Sequence, residues 1–145
     1  MIEVIPFHPS HIQELREQEA TRHLAAYLSP EMEQHLLNQK WAFTAKVKGR
    51  VVMCGGIVEA WRGRGVAWSI IDQRCHFDFV PIHRAVKNFL AICPLRRIEA
   101  EVAVGFRNGH RWMRMLGFKK EAECMRAYLP TGEDATLYAM VKEGV

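Results

Sequence analysis

No stretch of this sequence approaches the ~18 consecutive apolar residues of a membrane-spanning helix, which excludes a transmembrane helical span. No Cys-x-x-Cys pair occurs either. Cys54, Cys75, Cys93 and Cys124 fall singly, and neither the HPSH run from His8 to His11 nor the adjacent Cys75 and His76 has a zinc-ligand spacing. Free thiols, mostly buried, in a reducing compartment are expected instead of disulfides or a metal. An apolar leader is missing too, because MIEVIPFHPSHIQE turns polar within eight residues, so the expected location is the cytoplasm. There is no repeat, linker or low-complexity segment. With 145 residues, 49% of them hydrophobic, residues 1–145 have material for one sizeable core and are expected to form a single domain.

Acidic residues are scarce in the middle of the chain. From Ala60 to Lys120 twelve Lys and Arg stand against four Asp and Glu, a local +8, whereas Met1 to Glu59 holds six against seven. A polyanionic ligand accounts for this imbalance, and a solvated basic surface is the plainer explanation. Nucleic acid is disfavoured, since the basic residues are interleaved with core patterning and no helix-turn-helix, RNA-recognition or zinc-finger signature is present.

The stretch RRIEAEVAVGFRNGHRWMRMLGF, Arg96 to Phe118, changes period part-way. Ile98, Ala100, Val102 and Val104 alternate with Glu99, Glu101 and Ala103, the pattern of a strand whose faces differ, and Gly105 ends it. From Asn108 onward Trp112, Met115 and Leu116 have helical spacing, and Gly117 stands where a left-handed cap is wanted. Upstream, Ile2 to Phe7 reads as a strand, Ser10 with Gln13 as a capping box, and Ser29 with Pro30 as the start of a second helix. Trp41 to Val47 and Val51 to Trp61 form a hairpin about Lys48, Gly49 and Arg50. Gly55 and Gly56 inside its second strand weaken the ladder unless a bulge or a close neighbour requires them. After a turn at Arg62 to Gly65, Val66 to Ile71 is the next strand. Val80 to Cys93 is a helix with Ile82, Val86, Phe89, Leu90 and Cys93 on one side, and Pro94 ends it. Lys119 to Leu129 and Thr136 to Lys142 make a terminal hairpin.

Two basic residues opening a strand, the strand itself, a helix of about three turns and the closing LGF resemble the last strand-helix unit of the GCN5-related N-acetyltransferases (GNATs). That superfamily moves an acetyl group from acetyl-CoA to an amine, and the element order here follows it from end to end. The resemblance implies an α/β (α+β) fold: a central mixed, mostly antiparallel sheet of about seven strands flanked by about four helices. It also implies acetyl-CoA as substrate without a metal, an amine acceptor that is a small molecule or a protein, no membrane, and direct transfer without a covalent acyl-enzyme. A closer similarity, through GGIVEAWRGRGVAW and RAVKNFL, is to acetyltransferase-type proteins carried by bacteriophages and prophages. A homodimer is left open.

In the superfamily, CoA pairs with fourth-strand backbone, and its pyrophosphate rests on the amides opening the next helix, where unpaired N–H groups and partial positive charge collect. Carried onto this sequence, the cofactor residues are Ser69, Ile70 and Ile71, then Gln73, Arg74, Cys75 and His76, then His83 and Arg84, with Asn108 and Arg111 on the later helix. Two departures stand out. DQRCHFDFVP has none of the glycines that usually let backbone approach the pyrophosphate. RGRGVA fits that pattern as text but precedes the strand, and is read as a hairpin turn, with a phosphate loop on Arg62, Arg64 and Gly65 as the alternative. The positions of the usual asparagine and proton-donating tyrosine are held by Phe106 and Met113, and a thioether donates no proton. Asn108, at a shifted position, and His110, the nearest titratable group, are the substitutes. For the base that deprotonates the acceptor ammonium, Glu101 is the first candidate and Glu59 the second. Each of these has a plain structural alternative, a solvent-facing strand residue or a surface histidine, and Trp61, Trp68 and Trp112 are expected in the core or a pocket wall. The rival class is a catalytically silent GNAT-fold module, a phage particle component or host-protein inhibitor. The two departures favour it and the local +8 opposes it.

Overall fold

The computed structural model describes residues 2–16, 41–72 and 79–143. The elements are β1 (Ile2–Pro6), α1 (Pro9–Arg16), β2 (Trp41–Val47), β3 (Arg50–Trp61), β4 (Arg64–Ile71), α2 (Phe79–Ile92), β5 (Arg97–Ala103), α3 (Arg107–Leu116), β6 (Lys119–Met125) and β7 (Ala135–Val141). The strands form one seven-stranded sheet in the order β1-β2-β3-β4-β5-β7-β6. β4 and β5 run parallel, while β1–β2, β2–β3, β5–β7 and β6–β7 are antiparallel. This is the mixed, mostly antiparallel α+β architecture expected from the sequence, with three helices among the described residues. The expected second helix at Ser29 and Pro30 lies outside them. The chain divides into two compact units, Met1–Val58 with Trp68–Cys93, and Glu59–Ala67 with Pro94–Val145.

In the first unit, Lys48 (φ 51°) and Gly49 (φ 77°) are both left-handed, as a two-residue hairpin turn between β2 and β3 requires. β3 is buried without interruption from Val51 to Ile57, so both its faces are covered. Ile12 and Leu15 of α1 pack on Val51, Cys54 and Ile70, with Phe7, Val58 and Trp68 around them. α1 begins at Pro9, one residue before the expected Ser10, and its cap is His8: the His8 ring nitrogen Nδ1 accepts from the Ser10 amide (3.1 Å), with the Ser10 hydroxyl 2.9 Å away. Burial pushes the Cys54 thiol up to about 12, so it is inert packing.

Gly55 and Gly56 answer to close neighbours. A Cβ on Gly56 would meet the Trp41 carbonyl oxygen and come within 2.9 Å of Ala42 Cα, both β2 backbone atoms that cannot move without breaking the ladder. Gly56→Ala is therefore expected to destabilise the protein by about 2–3 kcal/mol. In thermal unfolding that is a fall of roughly 5–10 °C in midpoint, and an unchanged midpoint would show that the two strands can separate freely there.

In the second unit, Ile98, Ala100 and Val102 of β5 are buried with Met113, Leu116, Phe118, Ala135, Tyr138 and Ala139. The buried stripe of α3 is Gly109, Met113 and Leu116, spaced i, i+4 and i+7. The expected Trp112–Met115–Leu116 face is thus rotated, and Met115 is exposed. Gly109 is needed where α3 crosses β5, because a Cβ there would stand 2.8 Å from Val102 Cγ1. Gly117 (φ 97°) caps α3 as expected, its amide bonding Arg114 O. β4 starts at Arg64 instead of Val66, since the turn needs only Arg62 and Gly63 (φ 89°). β6 ends at Met125, short of the expected Leu129, because Ala127 turns left-handed (φ 49°) and the Asp134 carboxylate accepts its amide at 2.8 Å.

Candidate active site

β4 pairs with β5 at three positions, Arg64 with Arg97, Gly65 with Ile98 and Val66 with Glu99. Among the described residues the parallel ladder stops there, and β4 continues for five residues more, Ala67 to Ile71. Ser69 on this extension is exposed, Ile70 is buried and Ile71 half-buried. Its end is tightly held: Asp72, fully buried, accepts from Arg50 Nη1 at 2.6 Å and donates its amide to Val52 O at 2.9 Å. Gln73, Arg74, Cys75 and His76 lie outside the described residues. The chain is described again at α2, whose first turn carries no acidic residue, with Asp78 immediately before it in the sequence. His83 stacks on Phe79 with centroids 6.1 Å apart, and Arg84 is exposed, lining a groove with Ile2 and Val4.

The candidate acid and base residues fall into separate settings. Glu101, half-buried on β5, accepts a hydrogen bond from the Tyr128 hydroxyl at 2.8 Å. That bond, with smaller contributions from burial and nearby carboxylates, raises the Tyr128 pKa and keeps the phenol protonated at neutral pH. Glu59 accepts from the Gly63 amide at 3.3 Å, closing the turn before β4. His110 Nε2 stands 3.0 Å from Ala103 O and 2.9 Å from Val104 O, so it carries the proton, and Nδ1 then accepts from the Tyr138 hydroxyl at 2.7 Å. Tyr138 is 1% exposed, so this histidine ties α3 to the end of β5 with both nitrogens engaged. Asn108 and Arg111 are exposed on α3, Phe106 is exposed before it, and Met113 is core.

Glu99 is the acidic residue that sequence alternation misplaced. Grouped with Glu101 on an outward face, it is only 6% exposed. Arg64 clamps both its oxygens at 2.7 Å, and Arg97 Nε stands 2.6 Å from one of them while its other nitrogens reach Glu121. The Arg64 bonds and then Arg97, outweighing burial, hold the Glu99 carboxyl down at about 2. Tyr128 and Tyr138 were missed as well. Their signal in the sequence is slight, because only strand pairing puts them beside Glu101 and His110.

RGRGVA occupies the β3–β4 turn and the start of β4, as a hairpin turn should. Trp61 beside it is not core: it is exposed and forms part of the wall of a recess with Arg62 and Arg96. Trp68 and Trp112 are half-buried, and Trp68 packs edge-on against Phe7 at 5.4 Å.

No protein-family model matches the sequence, and no curated protein matches it. Solved structures do match the fold. Ard1 from Thermoplasma volcanium aligns with a TM-score of 0.79 at 18% identity, over 97% of this chain and 97% of its own. The fold is that of the GNAT acetyltransferases. Ribosomal-protein-S5-alanine acetyltransferase from Vibrio fischeri has a TM-score of 0.75 at 17% identity, covering 99% of this chain and 94% of that one. Spermidine N-acetyltransferase from Vibrio cholerae, solved with CoA and spermine, has 0.70 at 16% identity, covering 97% and 95%.

Proposed function

We propose that this GNAT-fold protein is an acetyl-CoA-dependent N-acetyltransferase that passes the acetyl group directly to an acceptor amine, of a small molecule or a protein. The observation that carries this is the β4 backbone extending past Val66 without β5 pairing among the described residues, with α2 the next described element after it. Pantetheine pairs along Ser69, Ile70 and Ile71, and the pyrophosphate rests at the start of α2 with Gln73, Arg74, Cys75, His76, His83 and Arg84 around it. Asn108 and Arg111 on α3 complete the cofactor set. The spermidine enzyme of the same fold, solved with CoA, supports the choice of ligand.

Glu101 takes a proton from the acceptor ammonium, freeing the lone pair that forms the N–C bond at the thioester carbon. Collapse breaks the C–S bond, and the departing thiolate takes the Tyr128 proton, which protonated Glu101 then restores. The amide nitrogen sheds its second proton to solvent, so one proton reaches CoA sulfur and one is released. Tyr128 thereby fills the donor role that Met113 cannot. His110 and Glu59 hold the neighbouring loop and turn. The single-domain organisation, cytoplasmic location and phage or prophage carriage belong to the same proposal.

Thermal unfolding with and without acetyl-CoA, using ATP as control, tests this. At 100 times its dissociation constant acetyl-CoA contributes about 2.7 kcal/mol, a rise of roughly 5–10 °C. No rise at millimolar acetyl-CoA would overturn the enzyme and leave the catalytically silent module, which the glycine-free segment DQRCHFDFVP favours.

A further inference from the structure

The second unit contains a basic recess of about 480 Å³ at the amino-terminal ends of β4 and β5, seven residues along β4 from Ile71. Its fixed parts are built. Arg64, clamped to the buried Glu99, lays its guanidinium 4.3 Å from the centre of the Trp61 ring, so one face of the indole is covered while the side chain stays 65% exposed. The turn is pinned on both sides, by the Glu59 carboxylate on the Gly63 amide and by the Arg97 amide on Gly63 O at 2.9 Å. Arg62 and Arg96 complete the lining. Both are exposed, and neither has an acidic partner among the described residues.

We infer that this recess binds a nucleoside phosphate. The open face of Trp61 is a platform for the base, backed and polarised by Arg64, and Arg62 with Arg96 supplies charge for the phosphate. Arg64 and Arg97 are neutralised by Glu99 and Glu121 and serve as framework. An aromatic plane beside two uncommitted guanidiniums selects a ligand both planar and anionic, and gives a purely apolar or purely anionic one half of its contacts. A free nucleotide and an exposed nucleotide of single-stranded RNA share that chemistry. The site is independent of acetyl transfer and of the β4 extension assigned to CoA.

The test is calorimetric titration of the full chain with AMP, with adenosine and inorganic phosphate as half-ligands, and anisotropy of a short labelled single-stranded RNA. AMP is expected to bind more tightly than either half, with affinity falling as salt rises. Trp61→Ala should weaken AMP about tenfold through lost stacking, Trp61→Phe should retain most binding, and Arg62→Gln with Arg96→Gln should weaken AMP but not adenosine. These side chains are exposed, and an unchanged thermal midpoint verifies folding. AMP binding alone supports a free-nucleotide site, and RNA binding blocked by AMP supports a nucleic-acid terminus. Three outcomes overturn the inference: neither probe binding at millimolar concentration, binding indifferent to these substitutions, or the substitutions abolishing an acetyl-CoA stabilisation present in the parent protein.

Discussion

Glu101→Gln is expected to lower kcat for acetyl transfer by about 10²–10⁴ while leaving the acetyl-CoA stabilisation intact. The amide keeps the size of the side chain and can still accept from Tyr128, so folding is spared; what disappears is the capacity to take a proton from an ammonium group. Tyr128→Phe should also lower kcat without altering acetyl-CoA binding, because it removes the donor and leaves the base. The measurement is CoA thiol release in steady state over a panel of primary amines, polyamines and peptides included. Raising the pH should partly rescue Glu101→Gln, since more acceptor is then unprotonated without help. His110→Ala serves as the contrast: it strands the buried Tyr138 hydroxyl and two carbonyls, so its effect should be on the thermal midpoint. A Glu101→Gln enzyme with parental kcat at every pH would remove Glu101 from the mechanism.

Acid should destabilise this protein in part through Glu99. Its carboxyl is held at about 2 in the fold, against an ordinary value of 4.5. A depressed folded value contributes stability that is complete above the unfolded value and is lost as pH falls through the folded one. The loss therefore develops from about pH 5 down to about pH 2. Allowing for the partly exposed guanidinium partners, the contribution is about 2 kcal/mol at neutral pH, or roughly 4–8 °C in midpoint. Glu99→Gln should lower the midpoint by that amount at pH 7 and converge with the parent near pH 2. Parallel pH profiles for the two proteins would show that the Arg64–Glu99–Arg97 cluster contributes nothing net.

Legibility differed by the kind of pattern. Strand and helix periods need only one element facing a core, so β1, β2, β5, β7 and α2 fall close to where their apolar spacing puts them. Gly117 was legible because a left-handed cap is a local backbone demand. The α3 face was misassigned because Met113 and Met115 are equally apolar, and the helix turns toward β5 at Gly109, where the missing Cβ allows close approach. β5 misled for another reason: alternation sets Glu99 with Glu101, but Arg64 from the neighbouring parallel strand makes its burial tolerable.

By itself, the chain determined the element order, the turn at Lys48 and Gly49, the left-handed cap at Gly117 and the concentration of basic charge after Ala60. These are local properties, written within one element or one turn. Only the tertiary structure decided that the β4–β5 ladder stops at Val66, that Glu101 meets Tyr128 across 27 residues of sequence, that His110 is consumed by Tyr138, and that Glu99 is buried. Each depends on which strands become neighbours and in what register. Register moves a charge between solvent and ion pair without altering the sequence pattern that precedes it.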